Sequence, residues 1–196
     1  MTKGPDRSNA LRMPRQRPVI FAILLLLLIT SALSCLGVGT RDATRDWRTF
    51  DGRSFEVDRV IDGDTLDLRI DGRTVQRVRL IGIDTPETGE YWGAEATAAL
   101  RQRTTGKRIV VRLDEVAQRD RYDRLLAYLY VSDSELLNQS LVTSGNAFAY
   151  RPYKHRLWRQ FERSENEARS SKRGLWKDIM PSQLPEWRKK WFAGKN

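Results

Sequence analysis

From Phe55 to Ile83 apolar residues recur at alternate positions, and no other pattern in the chain restricts its fold as much. Phe55 and Val57 alternate over Ser54–Ile61. Leu66, Leu68 and Ile70 alternate with Asp67 and Arg69, and Val78 and Leu80 lead into an apolar end within Val75–Ile83. A period of two places alternate side chains on one face of a strand. Asp62-Gly63-Asp64 and Asp71-Gly72 separate the runs, and the second is a strong hairpin signal. Three consecutive strands are therefore expected, and Lys107–Leu113 and Leu125–Val131 add two more.

Helical patterns fill the rest. Tyr91–Thr104 is Ala-rich, lacks Pro and stops at Gly106. Glu135–Ser144 ends at Gly145-Asn146. Leu157, Phe161, Ser164 and Ala168 recur about one turn apart on one face of a third helix. The expected class is α+β and β-rich. Its order is consistent with a five-stranded OB-type barrel with three helices, an architecture whose surface commonly takes oligonucleotides. Periodicity alone leaves other small α+β folds open.

A different signal precedes this domain. Lys3, Arg7, Arg12, Arg15 and Arg17 face a single acid, Asp6, in the first 17 residues, and Val19 to Ile29 is an unbroken apolar run. Small and weakly polar residues continue to Gly39. This is the layout of a secretory signal, and residues 19–39, at about 1.5 Å each, would also span a bilayer as an N-terminal hydrophobic helix. Either way the flanking positive charge places the remainder across the membrane, in an extracytoplasmic location. Cleavage after Gly37-Val38-Gly39, retention as an anchor and lipidation at Cys35 remain open alternatives. The expected divisions are a signal or anchor over 1–39, a linker over 40–53, the folded domain over 54–178 and a basic, Trp-containing tail over 179–196.

The full chain carries 35 Lys and Arg against 25 Asp and Glu, net +10. Removing the charges of the first 39 residues leaves +6, so the folded part itself is suited to an anionic partner. One Cys and one His exclude an intramolecular disulfide, a Cys-rich zinc site and a multi-histidine metal site. His155 is expected at the surface near a helix start. Asn138-Gln139-Ser140 has the N-glycosylation acceptor pattern.

Carboxylates at strand ends suit a hard cation, and the expected turns bear them. Asp62 and Asp64 lie between the first two strands, Asp84 and Glu87 after the third, with Thr85-Pro86 breaking the strand. Arg79 lies within the third strand and Arg124 opens the fifth. Guanidinium forks match phosphate oxygens. A metal, a water-orienting carboxylate and guanidinium clamps are the parts of phosphodiester hydrolysis.

The motifs Val60-Ile61-Asp62-Gly63-Asp64-Thr65, Arg79-Leu80-Ile81-Gly82-Ile83-Asp84-Thr85-Pro86-Glu87 and Tyr122-Asp123-Arg124-Leu125-Leu126-Ala127-Tyr128 closely resemble the staphylococcal (micrococcal) nuclease family. The resemblance extends from about Phe55 to Trp176. It implies a Ca²⁺-dependent nuclease that cleaves DNA and RNA and leaves 3′-phosphates. By that resemblance, Asp64 and Asp84 ligate Ca²⁺ through carboxylates and Thr85 through its backbone carbonyl, with Asp62 supporting the metal site. Arg79, Glu87 and Arg124 are the catalytic residues. Glu87 orients or deprotonates the attacking water, and the arginines hold the scissile phosphate. Arg121, Tyr122, Phe148 and Tyr150 match positions that contact nucleic acid.

Three departures stand out. Phe148 replaces a Tyr, with aromatic stacking expected to survive. Asp123 replaces a Gly beside Arg124, adding an acid next to the clamp. The loop after Glu87 is shortened to Thr88-Gly89-Glu90. Apart from DNA and RNA, and a membrane through residues 19–39 if uncleaved, no partner is evident and a monomer is expected. A second reading is a non-catalytic OB-type module that only binds nucleic acid; retention of Asp64, Arg79, Asp84, Glu87 and Arg124 favours the enzyme.

Overall fold

A computed structural model of the chain describes residues 43–131 and 135–193. The apolar segment 19–39 and Cys35 lie outside these residues. Among the described residues no helix is long and apolar enough to cross a membrane. The chain divides into Met1–Thr44 and Arg45–Asn196, and the second unit carries the architecture.

Helix α1 (43–50) is followed by strands β1 (Ser54–Val60), β2 (Thr65–Arg69), β3 (Val75–Leu80) and β4 (Ile83–Asp84). Then come α2 (Gly93–Thr104), β5 (Arg108–Leu113), β6 (Leu125–Tyr130), α3 (Leu137–Thr143), β7 (Phe148–Ala149), α4 (Trp158–Ser170) and α5 (Glu186–Ala193). Five strands close a barrel in the order β1-β2-β3-β6-β5, and β4 pairs with β7 in a separate two-stranded ladder. The five-stranded barrel with helices at its edges is the expected OB-type α+β architecture.

Alternation explains the barrel. The inward residues Leu66, Leu68, Val78, Leu80, Ile109, Val111, Leu113, Leu125, Ala127 and Leu129 are at most 1% exposed. Burying each Val, Leu or Ile side chain is worth about 1.5–3 kcal/mol. Asp67, on the outward face of β2, is also covered, because Arg59 and Arg77 close over its carboxylate at 2.8 and 2.9 Å. Their hydrogen bonds hold the Asp67 carboxyl below the ordinary carboxylate value against the opposing effect of burial.

The expected third strand divides in two. Gly82 adopts φ +78°, and a Cβ there would collide with the His155 ring, so a residue without a side chain turns the strand at this point. Ile83 and Asp84 leave the barrel and pair with Ala149 and Phe148 instead. The kink sets the direction in which Asp84 faces.

His155 is buried rather than exposed. Its Nδ1 lies 2.9 Å from the Tyr128 hydroxyl, which donates to Asp114 at 2.8 Å. Burial pushes the His155 pKa down to about 4, so the ring is neutral in the fold. Asn138 is buried as well: its amide donates to the Ile81 and Ala127 carbonyls and its Oδ1 accepts from Leu129 N. It bridges β6 to the kink and is closed to a glycan.

The segments flanking the expected domain contribute to it. Residues 43–50 are helical, Phe50 enters the core, and Asp46 receives Arg119 at 2.6 and 2.9 Å. At the other end, α5 buries Arg188 against Glu165 of α4 at 2.7 and 2.9 Å.

Candidate active site

Three turns meet at one end of the barrel. β2 and β3 pair with Thr65 opposite Arg79. β3 and β6 run parallel with Val78 beside Leu125. The β1–β2 turn carrying Asp64, the β3 arginine, the kinked β4 and the start of β6 therefore come together.

The β1–β2 turn is locked by its own side chains. Asp62 Oδ1 accepts the Asp64 amide at 3.0 Å, an Asx turn that orients the Asp64 carboxylate. Gly63 allows the close approach of α2 and of the loop after β4. A Cβ there would lie 2.7 Å from Thr85 Oγ1 and 2.8 Å from Ala96 Cβ. Asp64 is then held from several sides. Its Oδ1 accepts from Thr65 Oγ1 at 3.1 Å, and its Oδ2 from Thr85 N and Thr85 Oγ1 at 3.0 and 3.1 Å.

Arg79 stands between the two aspartates. Its Nη1 pairs with Asp64 and its Nη2 with Asp84 Oδ1, the latter at 2.9 Å. Burial lowers the Arg79 pKa, opposed by the charge of Asp84 and reinforced by the like charge of Arg124. The Glu87 carboxylate makes no hydrogen bond or ion pair to any described residue. Partial desolvation, then the charges of Asp62 and Asp84, raise its pKa above the ordinary value.

Arg124 is fixed by Asp120. The carboxylate takes Arg124 Nε and Nη2, each at 2.7 Å, while its other oxygen accepts the Arg124 amide at 3.0 Å. Asp123, feared as an acid beside the clamp, adopts φ +60° and pairs with Arg119 at 3.2 Å. Arg121 and Tyr122 are exposed and touch each other, with the Arg121 guanidinium 4.7 Å from the Tyr122 ring centroid. Tyr150 is half-buried.

Phe148 corrects an expectation. It is 1% exposed, edge-on to Trp176 and Trp187, with Arg188 over its ring at 5.4 Å. It presents no face on which a base can stack. The cover comes from Trp176 in the turn after α4 and from Trp187 and Arg188 of α5, some forty residues downstream.

Two contacts escaped the sequence reading. Asp120 lies four residues before Arg124, but nothing in the sequence distinguishes it from the neighbouring acids as the partner of that arginine. Trp187 Nε1 donates to Asp84 Oδ2 at 2.7 Å from a tail whose composition signalled only charge and aromaticity.

The donor set bears on a metal. Asp64 and Asp84 are hard oxygen donors facing one cationic group, and Thr85, next in sequence to Asp84, reaches Asp64 through its amide and hydroxyl. Among the described residues no cluster of three or more Asp, Glu, His or Cys side chains forms a complete ligand cage. The site thus fits a hard divalent ion that also takes carbonyl, water or phosphate oxygens, and does not fit a zinc-type site.

Comparison with known proteins points to one family. The family model described as staphylococcal nuclease homologue matches residues 77–178. A protein of Escherichia coli O157:H7 named uncharacterized endonuclease is 38% identical over 131 residues, 67% of this chain and 80% of the relative. The micrococcal nuclease of Shigella flexneri is 36% identical over 158 residues, 76% of this chain and 85% of that protein. The thermonuclease of Staphylococcus intermedius is 35% identical over 167 residues, 81% of this chain and 94% of that protein.

Proposed function

This chain belongs to the staphylococcal nuclease family, and we propose that it is a Ca²⁺-dependent nuclease of DNA and RNA working outside the cytoplasm. The observation that carries the reading is the pair of aspartates, Asp64 from the β1–β2 turn and Asp84 from β4, drawn to one cationic group at one end of a closed barrel. Asp64 and Asp84 would hold the ion through carboxylate oxygens, with the Thr85 carbonyl as a third donor and Asp62 keeping the turn in place. When bound, such an ion supplies Lewis-acid polarisation of the phosphoryl group.

The chain's own residues do the rest. Glu87, unpaired among the described residues and with a raised pKa, would orient a water and accept its proton. The water oxygen bonds to phosphorus, the P–O5′ bond breaks, and a proton reaches the departing 5′ oxygen, leaving a 3′-phosphate. Arg79 and Arg124 would hold the non-bridging oxygens and offset the growing negative charge. Asp120 presets the Arg124 fork, so less rotamer freedom is lost on binding. Arg121, Tyr122 and Tyr150 would contact backbone and base. The apolar run at 19–29, with its basic flank, supports export, and at that destination Ca²⁺ is plentiful.

Digestion of DNA and RNA by the purified chain, with Ca²⁺ and with chelator, tests the reading. Cleavage that needs Ca²⁺ and leaves 3′-phosphate ends is expected, and Asp84→Ala should shift the calcium titration. Binding without cleavage under every metal condition would identify the non-catalytic module instead.

A further inference from the structure

The family match ends at residue 178, yet α5 beyond it reaches the centre of the site. Trp187 Nε1 donates to Asp84 Oδ2 at 2.7 Å, while Asp84 Oδ1 accepts from Arg79 Nη2 at 2.9 Å, the guanidinium that also pairs with Asp64. The indole ring is edge-on to Tyr150 at 5.1 Å and to Phe148 at 6.5 Å. Its neighbour Arg188 is 1% exposed and makes a two-pronged pair with Glu165. Glu165 Oε1 also accepts the amide of Ala149 at 2.9 Å. Ala149 and Phe148 are β7, and Phe148 is the ladder partner of Asp84. Both Trp187 and Asp84 are therefore referenced to one short ladder, the tryptophan through Arg188 and Glu165, the aspartate through β4.

A carboxylate rotates over a broad torsional range unless something holds it. Ligands to metals are commonly held by an outer hydrogen bond, and losing that bond costs about 10–100-fold in metal affinity or activity. We infer that Trp187 is a positioning residue of the metal site, its indole N–H securing Asp84 Oδ2 so that Oδ1 faces the cation shared with Asp64. The inference rests on the reading of Asp84 as a Ca²⁺ ligand. It makes α5 a structural component of the nuclease site and assigns the burial of Phe148 a purpose: the ring is a floor for Trp187.

The experiment is calorimetric titration of the full-length protein with Ca²⁺ alone, for wild type and Trp187→Phe, beside metal-free melting and the Ca²⁺ concentration giving half-maximal cleavage. Trp187→Phe should weaken Ca²⁺ binding by about 10–100-fold and raise the half-maximal Ca²⁺ concentration by a similar factor. The metal-free melting temperature and the rate at saturating Ca²⁺ should change little. Benzothienylalanine at position 187 keeps the ring shape and lacks the N–H, so it should reproduce the loss of affinity even if phenylalanine packs poorly. Unchanged affinity in both variants overturns the inference. So does tighter Ca²⁺ binding or faster cleavage, either of which would make α5 an obstructing lid. If wild type itself neither binds Ca²⁺ nor cleaves with it, the ligand reading of Asp84 fails first and this inference falls with it.

Discussion

Replacing Arg188 by Ala should destabilise the domain through one buried carboxylate. Glu165 is 0% exposed and has four donors around it: two Arg188 nitrogens at 2.7 and 2.9 Å, the Ala149 amide at 2.9 Å and Arg151 Nη2 at 3.3 Å. Removing one partner of a buried pair costs roughly 3–5 kcal/mol because a charge is left uncompensated. Here the amide and the longer Arg151 contact remain, which places the loss near the lower end, about 3 kcal/mol. In a domain of this size each kcal/mol moves the melting temperature by about 2–4 °C, so a fall of roughly 6–12 °C is expected by scanning calorimetry. Adding Glu165→Gln to Arg188→Ala removes the stranded charge and keeps an acceptor for Ala149. The double variant should therefore regain part of the loss. A fall below about 2 °C for Arg188→Ala, or a double variant less stable than Arg188→Ala alone, would falsify the anchoring of α5 by this pair.

Two further predictions concern catalysis and pH. Arg79→Ala and Arg124→Ala should each lower turnover by on the order of 10³-fold or more, as for arginines that stabilise transferring phosphoryl groups, and wild-type cleavage by Arg124→Ala would remove it from the clamp. His155 stays neutral in the fold to about pH 4, whereas an unfolded His takes up a proton near 6.5. The unfolded chain thus binds more protons between these values, so this group's contribution is complete above about pH 7 and is lost as pH falls, about 2 kcal/mol by pH 5. Urea unfolding at pH 7.5 and 5 should show that much more acid loss for wild type than for His155→Gln, and equal losses would refute the assignment.

Much of the fold was readable because it rests on local rules. Period-two runs marked the strands before Leu125, a short apolar and aromatic run marked Leu125–Val131, and Asp71-Gly72 marked a hairpin. The split of the third strand was not readable. Ile81, Gly82 and Ile83 continue the apolar pattern, and the reason for the kink, His155 against Gly82, lies more than seventy residues away. His155 looked exposed because its neighbours Lys154 and Arg156 are charged. Its burial depends on Tyr128 and Asp114, which come from other elements. Residues 43–50 and α5 read as linker and tail for a similar reason: each buries few side chains, among charged ones, and so leaves little periodicity. The candidate site was legible as residue types in order. Its supporting contacts, Asp120 on Arg124 and Trp187 on Asp84, were not, since a hydrogen bond across the fold leaves no spacing signal.

The charge count itself reads differently once the pairs are known. A basic chain suggests free arginines awaiting phosphate, yet three arginines around this site are paired with acids, while Arg121 lies exposed against Tyr122. Arg79 meets Asp64 and Asp84, Arg124 meets Asp120, and Arg119 meets Asp46 and Asp123. An acid partner lowers the net field, so the pairs do little for long-range attraction, which falls to the surplus of +6 over residues 40–196. What each pair does is hold a long, rotamer-rich side chain in one place before substrate arrives. Arg124, held through Nε and Nη2 by Asp120, is set in this way for a phosphate oxygen. Exchanging Asp120 for Asn should therefore weaken catalysis more than the loss of one negative charge near a polyanion would suggest, because the surface field becomes more favourable while the fork loses its hold. A faster Asp120→Asn enzyme at low salt would show that attraction, and not orientation, governs this arginine.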